Sequence, residues 1–490
     1  MLERIGRKEG YRMKSLKVNA SMNVVYQLFN TVFPLITSIY TARILLPEGV
    51  GRVGYAQNIA SYFVTFAAMG IPAHGMRAIA VARDDPQKLN RTFMELVTFN
   101  AITTAIALTA YVVMILNVPS FLQDLPLFLC TGLLIVFNFL NIDWFYQGRE
   151  DYVYIVCRNI VVKLMSLLSI VLLVRSKSDY VFYALISSVA AGGNYVLNVW
   201  RARKYVSLQF RGLNLRHHLE PVFVLAVTIF FSTLYSKVDS TMLGMISGNE
   251  AVGYYSYAHK ILNIVVSLCA AVCATFLPRL SYYYHNDLDA FKNLLNKGVQ
   301  ILSLIVFPMA AGILVLAPAV VELLFGRAFL PTVGTLRIFS ALTIVLPFGN
   351  LLCYQVLIVA KKEKIMVPAY ALAALTNIVL NWFLIRSFAH NGAAIASVIA
   401  ETVLNGVELV IVLNYLKIKL DLRAIRNALV TSILMGAAVI FVASLEMSAW
   451  CTLLIGAGCG VVVYFVLNLW MRTPILMEGI QLVRKAIGKE

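Results

Sequence analysis

Charged residues are what this chain has least of. Asp, Glu, Lys and Arg make up 13% of its 490 residues, apolar residues make up 60%, and the mean hydropathy is +0.79. No soluble globular domain has this balance, so the composition points to a polytopic membrane protein. Long loops are lacking too, and no stretch between apolar segments is long enough to fold alone. Cysteine is sparse and unpatterned. Cys130, Cys157, Cys269, Cys273, Cys353, Cys451 and Cys459 all fall inside apolar segments, an odd and scattered set that gives neither a disulfide framework nor metal-ligand spacing. Also missing are a phosphate-cradling glycine loop, a nucleotide motif, paired outer carboxylates and any nucleophile–histidine arrangement. The chain is therefore read as a non-enzyme, with no catalytic residue, cofactor or metal expected.

Acidic residues are outnumbered by Lys and Arg, 24 to 41, for a net charge of +17. Such a charge can serve nucleic acid, but its placement says otherwise. Fourteen apolar segments of spanning length run from residues 18–42 to residues 449–470. With both termini placed in the cytoplasm, 31 of the 41 Lys and Arg fall in inward loops and tails. Only Arg175, Lys177, Arg327 and Arg386 fall in outward loops. This asymmetry is the positive-inside signal plus attraction to anionic lipid, so membrane lipids are expected partners and nucleic acid is not. The fold class expected is all-α, with fourteen transmembrane helices. Its parts are a cytoplasmic tail (1–17), a six-helix half (18–204), a basic cytoplasmic linker (205–220), a second six-helix half (221–416), and two extra helices with a tail (417–490).

One stretch organises the rest. Residues 221–246 and 251–278 read as two apolar helices joined by a tight turn at Ser247-Gly248-Asn249-Glu250. Thr228, Ser232, Ser236 and Asp239 share one face of the first helix; Ser256, Lys260, Asn263 and Ser267 share one face of the second. Charged groups at membrane depth are costly and face a bundle interior or a water-filled cavity. The same hairpin occurs earlier: a gapless shift of 202 residues lays Pro34–Arg77 on Ser236–Arg279. The shift matches Glu48-x-Val-Gly51 with Glu250-x-Val-Gly253, Tyr55 with Tyr257, and Arg77 with Arg279, and it lays Asn58 on Lys260. The chain therefore reads as two related halves of the same orientation, each opening with a hairpin that lines a shared polar cavity.

These residues resemble a known family. Leu46-Pro47-Glu48-Gly49-Val50-Gly51, Gly70-Ile71-Pro72 with Arg77, Asp143-Trp144-Phe145-Tyr146-Gln147-Gly148, and Val238-Asp239 followed by Glu250-x-Val-Gly-Tyr-Tyr are similar to those of O-antigen and capsule flippases. Leu324-Phe325-Gly326, Leu336-Arg337-Ile338, Asn377 and Gly392–Ala396 fit as well. The resemblance, over about residues 18–415, is to the multidrug/oligosaccharidyl-lipid/polysaccharide exporter superfamily. It implies a bacterial or archaeal cytoplasmic membrane protein that carries a polyprenyl-pyrophosphate-linked oligosaccharide from the inner to the outer leaflet. It also implies a central cationic cavity, a groove for the lipid tail at the last two helices, and polysaccharide polymerase machinery downstream. Span 1 departs from the related lipid II flippases: it offers Asn19, Asn23, Gln27 and Asn30 rather than several arginines, which argues against lipid II as cargo.

A pyrophosphate-linked sugar cannot cross hydrocarbon unaided, because burying its charge costs too much. Lys260 with Lys237 is the leading pair for the pyrophosphate. Arg43 and Arg52 stand at the outer mouth, Arg77 and Arg279 at the inner one. Asn30, Asn58, Ser61 and Asn263 offer hydrogen bonds to sugar. The competing readings are structural: Lys237 paired with Asp239, Arg52 clamped to Glu48, Arg77 and Arg279 as membrane-face anchors. Asp239 either pairs with a lysine or carries a coupling proton or sodium ion. The alternative function is an ion-coupled multidrug exporter of the same superfamily, which would favour an aromatic and acidic cavity.

Overall fold

A computed structural model of the chain describes residues 16–207, 212–362, 364, 366–417, 420–445, 447–473, 475–478 and 481, with side chains from residue 33 onward and at residue 29. Most of the 1–17 tail, part of the 205–220 linker and the end of the C-terminal tail lie outside the described residues.

Every element named here is a helix. The helices are α1 (Leu16–Ala68), α2 (Ile71–Ala82), α3 (Pro86–Asn117), α4 (Leu125–Phe139), α5 (Asp143–Gly148), α6 (Tyr152–Leu173), α7 (Tyr180–Ala202), α8 (Arg216–Ser247), α9 (Asn249–Ala274), α10 (Leu277–Asn286), α11 (Leu288–Phe325), α12 (Thr332–Phe339), α13 (Leu342–Gly349), α14 (Met366–Leu416), α15 (Leu422–Ala443) and α16 (Ala449–Trp470). Among the described residues, twelve helical stretches are long and apolar enough to cross a membrane. Fourteen segments are expected from hydropathy. Two of the twelve stretches, Phe33–Ala82 and Met366–Leu416, are 50 and 51 residues long. Each contains a break. Leu46 (φ 59°, ψ 176°) interrupts α1, and Ala389 (φ 46°, ψ −126°) interrupts α14. Pro47 explains the first break, since proline disfavours helical geometry at the preceding residue and cannot donate to the turn before it. Pro221, Pro308, Pro318 and Pro347 sit inside helices, and the chain after Pro347 widens into a π-helical turn at Asn350–Gln355.

The chain forms two compact units. Of the described residues, the first comprises those within 16–34, 59–175 and 181–234; the second comprises those within 35–58, 176–180 and 235–481. These boundaries differ from the sequence halves because residues 35–58, the middle of α1, cluster with the later helices.

The first unit is centred on the Asp143–Gly148 motif. Trp144, Phe145 and Tyr146 are fully buried and pack with Phe93, Ile79 and Ile155. Gly75 is required there: a methyl group on it would come within 2.7 Å of the Trp144 ring. Arg158, 2% exposed, pairs with Asp143 at 2.9 Å and also bonds the Asn198 side-chain oxygen. The Asn198 amide completes the triangle by donating to Asp143 at 2.6 Å. The ion pair and the Asn198 hydrogen bonds together offset the cost of burying the charge.

The second unit is built on α11. Leu295, Val299, Leu302 and Val306 face Leu351, Leu352 and Val356 from the π-helical segment, with Cys269 and Cys273 of α9 in the same cluster. These cysteines are packing residues. Helices α15 and α16 join α11 through a smaller cluster of Leu316, Met435 and Val439, with Gly456 and Gly460 admitting close approach. Their outer faces expose Phe441, Leu454, Val461, Val462 and Phe465, as suits helices bathed in lipid.

Candidate functional site

Glycine sets the hairpin at the start of the second unit. Helix α8 ends at Ser247, Gly248 takes φ 84°, and α9 begins at Asn249. A positive φ of this kind costs glycine nothing. The turn at Leu46–Val50 then packs against the turn at Asn249–Gly253. A methyl group on Gly51 would lie 1.8 Å from the Asn249 carbonyl oxygen, and one on Gly253 would lie 2.2 Å from the Pro47 carbonyl oxygen. Tyr257 donates to or accepts from Thr41 at 2.9 Å, while its counterpart Tyr55 lies against Gly244.

The polar positions follow the same reciprocity. Lys260 Nζ donates to Ser38 Oγ at 2.6 Å and lies 4.1 Å from the centre of the Tyr257 ring. Asn58, its counterpart in the first hairpin, donates to Thr241 Oγ1 at 2.8 Å and to the Lys237 carbonyl at 3.0 Å. No carboxylate pairs with Lys260 or Lys237 among the described residues.

Asp239 does not pair with a lysine among the described residues. Its Oδ1 accepts from Asn381 at 2.6 Å, and its Oδ2 accepts from Ser397 at 2.6 Å and Tyr255 at 2.7 Å. All three donors are neutral. Asn381 also donates to Asn377 Oδ1 at 3.0 Å, and Ser397 Oγ lies 2.9 Å from the Ala393 carbonyl oxygen. Asn381 Oδ1 is buried and has no hydrogen-bond partner among the described residues. The result is an oxygen-rich cluster on α8, α9 and α14, beside a cavity of about 160 Å³ that Tyr235, Ser236, His259 and Glu401 also line. Glu401 accepts from Tyr235 at 2.9 Å. Three neutral hydrogen-bond donors thus compensate the buried carboxylate in place of a cation.

The remaining expected site residues divide. Arg52 pairs with Glu48 at 2.7 Å and reaches Tyr180. Arg43 donates to the Leu323 carbonyl at 2.7 Å, which caps the end of α11. Asn263 is exposed and bonds His259 one turn back at 3.0 Å, while lining the Asp239 cavity. Arg279 is exposed on α10. In the first unit, the Ser61 carbonyl accepts from Thr65 at 2.8 Å. Arg77 lines a cavity of about 660 Å³ with His74, Lys88 and Arg91. The side chain of Asn30 lies outside the described residues.

Sequence reasoning missed Asn381, Ser397 and Tyr255. Asn377 and Asn381, one turn apart in an otherwise apolar segment, were the signal available: an amide pair at membrane depth needs an internal partner.

Comparison with known proteins fits this architecture. Residues 16–283 match the family described as polysaccharide biosynthesis protein, and residues 223–457 match the family described as lipid II flippase MurJ. A candidate O-antigen transporter of Escherichia coli (strain K12) is 26% identical over 413 residues, which cover 82% of this chain and 99% of that protein. A candidate low-salt glycan biosynthesis flippase of Haloferax volcanii, Agl15, is 24% identical over 237 residues, 48% of this chain and 50% of that protein. Among solved structures, the lipid II flippase MurJ in an inward closed conformation superposes with a TM-score of 0.76 at 14% identity, covering 92% of this chain and 99% of that one. An inward-facing multidrug resistance MATE transporter superposes with a TM-score of 0.64 at 14% identity, over 81% and 98% of the two chains. At such identity the superpositions speak for the fold.

Proposed function

The chain belongs to the polysaccharide biosynthesis protein family, within the exporter superfamily of flippases and transporters rather than enzymes, and from that premise we propose that it flips a polyprenyl-pyrophosphate-linked oligosaccharide. Movement runs from the cytoplasmic to the outer leaflet, by alternating access through a central cationic cavity. The observation that carries this reading is a pair of opposite charges that do not meet. Lys260 is held by a hydroxyl and an aromatic ring, and Asp239 by an amide and two hydroxyls. An isolated charge at membrane depth is costly, and pairing the two would relieve both. Keeping them apart leaves the ammonium for an anionic cargo and the carboxylate for a coupling proton or sodium ion.

The topology proposed is fourteen crossings with both termini cytoplasmic. A straight helix of 50 or 51 residues would be about 75 Å long, more than twice the ~30 Å hydrocarbon core. Reading each interrupted stretch as two crossings gives two six-helix halves plus α15 and α16. The reciprocal contacts of the two hairpins support related halves of the same orientation. Lys237, Arg43, Arg52, Arg77, Arg279, Asn30, Asn58, Ser61 and Asn263 are proposed as further contacts along the path. Arg43 and Arg52 come last among them, since both already have partners.

The test is transbilayer movement of a polyprenyl-pyrophosphate oligosaccharide in liposomes carrying the purified protein, with Lys260→Ala and Asp239→Asn beside wild type. Protein-dependent movement lost in Lys260→Ala is the expected result. Movement unchanged by both variants removes the two charges from the mechanism. No movement of the lipid, together with saturable transport of cationic dyes, would make the chain a multidrug exporter.

A further inference from the structure

The second cavity, in the first unit, contains side chains that the flippase reading does not use. Glu95, on α3, is 6% exposed at its side chain and accepts three hydrogen bonds. Arg91 Nε reaches its Oε1 at 3.0 Å, the Asn214 backbone N–H reaches the same oxygen at 2.8 Å, and His218 Nε2 lies 3.0 Å from Oε2. His218 in turn places Nδ1 at 2.9 Å from His74 Nε2, on α2. His217, the next residue along, is exposed and packs its ring 4.3 Å, centre to centre, from that of His218. One ligand atom from each of Glu95, His217 and His218 lies within 4.8 Å of the other two.

We propose that Glu95, His217 and His218 form a divalent transition-metal site, of the kind that takes Zn²⁺, tying α3 to the first turn of α8. The inference is independent of what the chain transports. Two imidazoles and one carboxylate suit Zn²⁺ and its neighbours; Mg²⁺ and Ca²⁺ prefer all-oxygen sets. The orienting contacts of such a site are already in place. Arg91 and the Asn214 N–H fix the carboxylate, and His74 fixes the His218 ring, as outer partners of metal ligands do. The proton count closes without loss. Without metal, His218 Nε2–H donates to Glu95 and His74 Nε2–H donates to His218 Nδ1. With Nε2 on the metal, His218 carries its proton on Nδ1 and donates it to His74 Nε2, and His74 shifts its own proton to Nδ1. Both rings change tautomer and stay neutral.

The surrounding charge shapes what completes the coordination. Arg77, Lys88 and Arg91 line the cavity of about 660 Å³ into which the three ligands open. These cations oppose a bare dication. They favour an anion from solution, such as chloride or phosphate, in the remaining coordination positions. The sequence hides the site, because 123 residues separate Glu95 from His218 and no spacing motif links them.

The experiment is titration of Co²⁺, then Zn²⁺, into metal-depleted full-length protein in detergent, purified without a histidine tag. The readouts are the visible Co²⁺ spectrum and bound metal per chain. Wild type is expected to bind one equivalent, with a spectrum of nitrogen and oxygen ligation, and to gain thermal stability with added Zn²⁺. His217→Asn is the informative variant, because an exposed ring is dispensable to the fold. It should lose the equivalent and the thermal shift while unfolding at the wild-type temperature without metal. His74→Gln should weaken affinity by about tenfold or more through the outer contact. His285→Asn, elsewhere on α10, should change nothing. Wild type that binds no metal, or binds it equally after His217→Asn and Glu95→Gln, overturns the proposal.

Discussion

Gly51 and Gly253 stand at matching places in the two hairpins, 202 residues apart, and each has the other hairpin's turn where a side chain would go. Gly51 faces the Asn249 carbonyl and Gly253 faces the Pro47 carbonyl; Asn249 and Pro47 are themselves a matched pair under the same shift. Contact 51–249 and contact 253–47 thus join matched sequence positions reciprocally. Gly54 and Ser256, also a matched pair, lie close to each other: a methyl group on Gly54 would stand 3.9 Å from Ser256 Oγ.

This packing predicts a sharp contrast among glycines. Gly51→Ala and Gly253→Ala push a methyl group into backbone oxygen, which cannot swing aside. Each should cost about 1–3 kcal/mol, the range for overpacking a filled site. Gly312→Ala, in α11 with nothing within 4 Å of the new methyl group, should instead gain up to about 1 kcal/mol of helix propensity. Thermal unfolding in detergent separates the two cases. Equal midpoints for all three variants would mean the hairpin turns do not pack as described.

The buried ion pair of the first unit gives a second contrast. Arg158→Leu leaves Asp143, 16% exposed, with only the Asn198 amide for compensation. The expected loss is about 3–5 kcal/mol. Arg158→Leu combined with Asp143→Asn removes both charges and should recover most of that loss, since replacing a whole buried pair is often neutral. Unfolding midpoints of the two single variants and the double variant form a cycle. A double variant no better than Arg158→Leu would mean that Asp143 is not the charge Arg158 serves.

Much of this was legible in the sequence, and the reasons are physical. Membrane helices announce themselves by hydropathy, and the break at Leu46 by the proline that follows it. The match between the two hairpins was visible because both turns keep glycine, at 51 and 253, where backbone meets backbone. The pairing of polar groups was not legible. Asp239 and Lys237 are two residues apart, on different sides of a helix, and lysines within reach suggested a salt bridge. The actual partners of Asp239 are Asn381 and Ser397, 142 and 158 residues away, and periodicity carries no information on such distances. The Glu95–His218–His74 chain was hidden for the same reason.

Lys260 and Ser38 offer a prediction that separates charge from hydrogen bonding. Ser38→Ala removes the hydroxyl acceptor at 2.6 Å but leaves the Tyr257 ring beneath the ammonium. Net hydrogen bonds are worth about 0.5–1.5 kcal/mol, so stability should fall modestly. If the ammonium serves an anionic cargo, freeing it from Ser38 should leave lipid movement within about twofold of wild type, an energy difference well under that of one hydrogen bond. Lys260→Met, which keeps the unbranched stem to within one atom and removes the charge, should lower movement by tenfold or more, about 1.4 kcal/mol in the barrier. Initial rates in liposomes decide. Equal losses in both variants would make Lys260 a structural link between hairpins.

Asp239 carries the last prediction. Its carboxylate is neutralised by no cation among the described residues, and the nearby Asn381 Oδ1 is an acceptor without a donor. Both facts favour a bound cation supplied by the solution. A ligand that binds the folded state raises stability by RT ln(1 + [L]/Kd), about 2.7 kcal/mol at a hundredfold excess over Kd. Sodium chloride should therefore raise the unfolding midpoint of wild type above that in choline chloride at equal ionic strength. Asp239→Asn should abolish the difference, because the isosteric amide keeps the packing and loses the charge. Asn381→Leu should also weaken it, by removing one of the oxygens. If sodium has no effect and the midpoint changes with pH instead, with Asp239→Asn resembling the low-pH wild type, the coupling species is a proton. If neither ion nor pH distinguishes wild type from Asp239→Asn, the carboxylate is a structural acceptor for Tyr255, Asn381 and Ser397 and binds no coupling ion.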